Sequence, residues 1–98
     1  DEKQTLETIA SFYKETNYLL DPHTAVGVRG ALECAKGHER VVCLATAHPA
    51  KFGDAVERAI GFPPPLPPQL AVLEGKETRC EIMEADREQV KRFLQEKA

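Results

Sequence analysis

The sequence predicts an α/β chain, or α+β as an isolated piece, with helices packed on two short strands. The predicted order is helix, helix, strand, helix, proline-rich connection, strand, helix. Three observations lead there. Apolar residues recur at helical spacing in several stretches, each bounded by capping or breaking residues. A short β-branched run, Val41 to Ala45, ends in a polar turn before another helical pattern. A second run, Thr78 to Met83, alternates polar and apolar as a half-exposed strand does.

Taken in order, Leu6, Ile9, Ala10 and Tyr13 mark a first helix from Thr5 to about Thr16, with Phe12 widening its stripe. Asn17 and Tyr18 end it. Asp21-Pro22 predicts the next helix start, a capping carboxylate followed by proline at the first helical position. This helix runs to about Ala35, with Gly37 expected as its left-handed cap. Gly27 and Gly30 cost it about 1 kcal/mol each relative to alanine. Their presence suggests close approach by another backbone or a ligand.

Glu39-Arg40 leads into the first strand. A third helix is expected from Pro49 to Ile60, with Phe52, Ala55, Val56, Ala59 and Ile60 on one face and Gly61 as its stop. Residues 62–68 hold five of the seven prolines and read as an extended polyproline connection. A helical turn or two follows from Gln69 to Leu73. Asp86 caps a last helix, with Gln89 placed to complete a capping box.

Ninety-eight residues allow one domain with a modest core. With 42% hydrophobic and 30% charged residues the chain has the make-up of a globular protein. A net charge of −3 and a pI near 5.6 argue against nucleic acid as a partner. No apolar run approaches the roughly 18–20 residues of a membrane span. Cys34, Cys43 and Cys80 are odd in number and widely spaced, so they read as partly buried thiols in a reducing cytoplasm. Cys34, His38, Cys43 and His48 lack the paired short spacings of a structural zinc site, and no metal is expected.

The chemistry concentrates where the first strand meets the third helix, as ligands in open α/β sheets collect at strand ends. His48 is the best placed of the three histidines for a polar role, though turn histidines more often cap a helix. Thr46 can both donate to and accept from a ligand, or cap the Pro49 helix instead. His23 lies in the first turn of the second helix. Lys51 is able to approach an anion, but lysines on a helix face are ordinarily solvated. No nucleophile arrangement and no phosphate-cradling glycine loop is legible.

Two runs, YLLDPHTAVG at 18–27 and LATAHPAKF at 44–52, closely resemble the C-terminal portion of threonine synthase. That family comprises pyridoxal-phosphate enzymes of the tryptophan-synthase-β type, or fold type II. The resemblance spans nearly the whole chain, more loosely after Gly75. It implies conversion of O-phospho-L-homoserine and water to L-threonine and phosphate in the cytoplasm. It maps the hydroxyl contact to the cofactor's pyridine nitrogen onto Thr46, with Asp21, His23, Ala47 and His48 as neighbours. The Schiff-base lysine and the phosphate loop of the family have no counterpart in these residues, and Lys51 matches a structural position. The resemblance therefore implies a C-terminal piece, residues 1–98, inactive without the remainder of the threonine synthase chain. Two other readings are a non-catalytic folding or interaction module, and part of a threonine-synthase-like phospho-lyase with another substrate.

Overall fold

The computed structural model describes residues 1–37 and 40–98. Helix α1 spans Glu2–Thr16. It begins three residues before the predicted start because Asp1 and Gln4 form a capping box, the Asp1 carboxylate accepting the Gln4 N–H at 2.8 Å. Asn17, at φ 59°, closes it in the left-handed region that asparagine tolerates. Helix α2, Pro22–Cys34, starts at Asp21 and Pro22 as the sequence predicts. Its end differs. Ala35 turns extended at φ −67° and ψ 128°, so Gly37 lies beyond the helix and is not its cap.

The two predicted strands do not form. Among the described residues there is no strand at all, and residues 41–46 and 78–83 run without ladder partners. The reason is pairing, because an extended segment becomes a strand only against a neighbouring edge. The architecture is therefore all-helical, and the α/β and α+β expectations are corrected to that extent. Val42 and Ile82 on these segments are 86% and 97% exposed. The start of the first segment, at Glu39, lies outside the described residues.

The predicted third helix is split. Pro49–Phe52 forms a 3₁₀ turn and Gly53–Ile60 forms α3, with Phe52 leaving helical backbone at φ −127° and ψ 45°. Gly61, at φ 85°, caps α3 as expected, its N–H donating to the Glu57 carbonyl. The proline run takes no helix or strand and leads through Pro67, extended at φ −67° and ψ 151°, into the single turn of α4, Pro68–Ala71. Helix α5, Arg87–Lys97, is capped by Asp86, which accepts the Glu88 and Gln89 amides at 2.7 and 3.3 Å.

Helix α1 is the hub, packing against both α2 and α3. Ile9, Leu20, Ala25 and Val28 form the buried cluster, flanked by half-buried Phe12, Leu19, Ala59 and Ile60. Val56 is fully buried on α3, and an Arg58–Glu2 ion pair ties α3 to α1. The expected close approach at Gly27 and Gly30 is not made by this chain, since a Cβ at either position would meet nothing within 4 Å. All three cysteines are free and exposed, against the expectation of partial burial. The radius of gyration is 18.1 Å, where a compact chain of this length would have about 13 Å. Among the described residues no helix is long and apolar enough to cross a membrane.

With so small a core, single buried methyl groups weigh heavily. Ile9→Ala should destabilise the 98-residue chain by about 2–5 kcal/mol, while Ile82→Ala at an exposed position should stay within about 0.5 kcal/mol. Urea titrations followed by circular dichroism check this, and equal effects at the two positions would refute the assignment of the core.

Candidate functional site

The N-terminus of α2 and the end of the 41–46 segment meet through one chain of hydrogen bonds. Asp21 is 1% exposed, and its carboxylate serves as the α2 cap. One oxygen, Oδ1, accepts the His23 N–H at 2.9 Å and the Thr24 N–H at 3.3 Å. The other, Oδ2, accepts a short hydrogen bond from the Thr24 hydroxyl. Thr24, 5% exposed, in turn accepts the Thr46 backbone N–H on its Oγ1 at 3.2 Å. Twenty-two positions of sequence are bridged by one hydroxyl.

The electrostatics follow from burial and donors. Burial pushes the Asp21 carboxyl upward, but the Thr24 hydroxyl and amide, with His23, stabilise the anion and hold it below the ordinary 3.8. The carboxylate is thus ionised and acceptor-only at neutral pH. Its hydrogen-bonding capacity is directed into the helix start.

The remaining sequence candidates divide clearly. Thr46 is exposed at the end of the extended segment, and Ala47 beside it is half-buried. The His48 Nδ1 accepts the Ala50 N–H at 3.1 Å and caps the 3₁₀ turn. His48, and not Thr46, is therefore the cap of this turn. The His23 ring lies 4.9 Å from that of Phe52 and its Nδ1 is 3.4 Å from Asp21 Oδ1, so His23 links α2 to the same turn. Lys51 is exposed, and its backbone N–H donates to the His48 carbonyl at 3.0 Å. Asp21 and His23 are linked to the Thr46 backbone through Thr24, with Ala47 and His48 following Thr46 into the turn.

Thr24 is the residue that sequence reasoning misses. The signal was present: threonine three positions after an aspartate cap places its hydroxyl beside the capping carboxylate. Among the described residues no group of histidine, cysteine and acidic side chains is arranged to hold a metal. His38, named in the zinc alternative, lies outside the described residues.

Thr46 is an exposed residue carrying a neutral hydroxyl, while the nearby Asp21 carboxylate is buried and already bonded. Beside this site, a groove of about 730 Å³ runs between α2 and the extended segment, lined by Leu20, Val28, Ala31, Leu32, Val41 and Cys43 among others.

Comparison with known proteins gives concordant matches. Residues 24–94 match a family described as "Threonine synthase, C-terminal". The threonine synthase of Pseudomonas aeruginosa is 47% identical over 95 residues, covering 95% of this chain and 20% of that protein. That of Methylobacillus glycogenes is 38% identical over 91 residues, covering 93% and 19%. A crystal structure of pyridoxal-phosphate-bound threonine synthase from Brucella melitensis superposes with a TM-score of 0.78 at 40% identity, covering 97% of this chain and 20% of that one. The chain thus spans about a fifth of the length of the relatives it matches.

The depressed Asp21 carboxyl has a pH signature. Its folded value lies below its unfolded one, so its stabilising contribution is complete above the ordinary carboxylate range and disappears as pH falls through the folded value. The stability difference between the wild-type chain and Asp21→Asn should therefore be constant from pH 7 to about 5 and shrink below about 4. Urea midpoints of both proteins across this range measure it. A difference that persists undiminished at the acid end would remove the carboxylate from the account.

Proposed function

We propose a role that proceeds from one premise: the chain belongs to the threonine synthase family, as its C-terminal domain. In this role the domain forms the wall of the active site that meets the ring nitrogen of pyridoxal phosphate, and Thr46 makes the contact. The complete enzyme converts O-phospho-L-homoserine and water to L-threonine and phosphate. The bound cofactor supplies the electron sink that stabilises a carbanion next to the substrate nitrogen. This chain's own residues hold and orient.

One observation carries the reading. Thr46, an exposed residue with a neutral hydroxyl, sits on backbone tied to a buried Asp21–Thr24 pair. A hydroxyl partner leaves a pyridine nitrogen largely unprotonated, whereas an available carboxylate would favour its protonation. Asp21 is close in the network but is committed to His23 and Thr24, so it keeps its charge away from the ring. His48 spends its Nδ1 lone pair on the Ala50 amide, which suits a turn support and not a proton acceptor. His23, its ring tilted against that of Phe52, joins α2 to that turn. The remainder of the enzyme covers apolar residues such as Val42 and Leu44 and brings the lysine that binds the cofactor.

Two measurements test this. In the complete enzyme Thr46→Val should weaken cofactor binding by about 2- to 12-fold, the worth of one neutral hydrogen bond, with Thr46→Ser close to wild type. Unchanged affinity in Thr46→Val would exclude Thr46 from the site. The 98-residue chain alone, incubated with pyridoxal phosphate and borohydride, should show no specifically labelled lysine, Lys51 included. A single stoichiometric adduct would overturn the division of labour between this domain and the rest.

A further inference from the structure

We propose that Thr24 is a positioning residue for Thr46, acting through the Thr46 backbone amide. The proposal rests on the reading of Thr46 as the cofactor contact and goes beyond it, by naming what sets the hydroxyl in place.

The directions of the hydrogen bonds make the case. A threonine hydroxyl has one proton and two lone pairs. The ionised Asp21 carboxylate has no proton to give, so the Thr24 proton is directed to Oδ2. The lone pairs of the same oxygen are then free to receive the Thr46 N–H at 3.2 Å. Asp21 and Thr24 are 1% and 5% exposed, so water has little access to compete for these bonds. Their polarity is fixed in one sense: Thr46 amide to Thr24 oxygen, and Thr24 proton to Asp21.

This anchor matters because of what surrounds it. Within this chain no ladder holds residues 41–46 among the described residues, so no strand of its own aligns their backbone. Two residues beyond Thr46, the His48 cap fixes the start of the 3₁₀ turn. Thr46 is the junction between an unpaired segment and a capped turn, and Thr24 holds the junction at its amide. Moving that amide by a few tenths of an ångström redirects the side chain on the same Cα. The tie uses the Thr46 backbone, so a change of the Thr46 side chain leaves it intact. The two contributions can be separated.

The test uses the complete holoenzyme and four variants: Thr24→Val, Thr24→Ser, Thr46→Val and the Thr24→Val/Thr46→Val double. Cofactor dissociation constants, the absorption maximum of the bound cofactor and thermal midpoints are measured for each. Thr24→Val should loosen the cofactor by about 2- to 12-fold and shift its absorption in the same direction as Thr46→Val. Thr24→Ser, which keeps the hydroxyl, should restore both. The double variant should be no weaker than the weaker single variant, because Thr24 acts only through Thr46. Fully additive losses, or a lowered thermal midpoint in Thr24→Val with affinity and spectrum unmoved, would overturn the proposal. If Thr46→Val is silent, the reading of Thr46 itself fails, and positioning fails with it. If Thr46→Val responds and Thr24→Val does not, positioning alone fails. Should Thr24→Val not fold, Thr24→Ala takes its place, and amide exchange at Thr46 reads the lost anchor directly. Unchanged exchange there would refute it.

Discussion

A buried carboxylate must find donors, and in this chain that requirement shapes the candidate site. Asp21 is almost fully removed from water, where an unpaired charge would be untenable. The donors available to it are the first amides of α2 and the hydroxyl of Thr24, all supplied by the helix it caps. Satisfying Asp21 therefore fixes the helix start and the Thr24 rotamer together. The Thr24 oxygen is left facing the one amide that the extended segment brings to it. A local capping interaction becomes a tertiary tie.

The same logic separates what was legible in the sequence from what was not. Asp21-Pro22, Asp86 and Gly61 announced helix boundaries because each acts within one turn of chain, where composition alone determines the geometry. The hydrophobic face of α1 was legible for a similar reason, with Ile9 at its centre. The strands were not, because β-branching prepares a segment for a ladder and says nothing about whether an edge is there to receive it. Val41 to Ala45 has the composition of a strand, yet takes no regular structure and carries no pairing in these residues. Gly37 misled by proximity: Ala35 had already turned the chain out of the helix. At the site, Thr46 and His48 were visible as candidates, but Thr24 required seeing that the cap's second oxygen needed a donor.

The distribution of apolar surface gives this local device its wider meaning. The buried cluster is confined to α1, α2 and the segment between them, while Leu32, Val42, Leu44 and Ile82 remain exposed. Exposed apolar side chains of this size are what a contacting surface commonly covers. The span of about a fifth of its relatives' length agrees with that. In the proposed role, such a domain would have to hold its part of a shared site without the support of a large core of its own.

That demand explains why a hydrogen-bonded anchor suits residue 46 better than packing would. Packing holds a side chain through many weak contacts and depends on neighbours that this chain does not itself provide around residues 41–46. The Asp21–Thr24 pair needs only the first turn of α2, which its own cap and proline already specify. In the role proposed above, a partner surface closing over this segment would meet a residue whose backbone is already tethered, and less ordering would be left for the assembled site to impose. The capping motif at 21–24 is thus both the beginning of a helix and the foundation on which Thr46 stands.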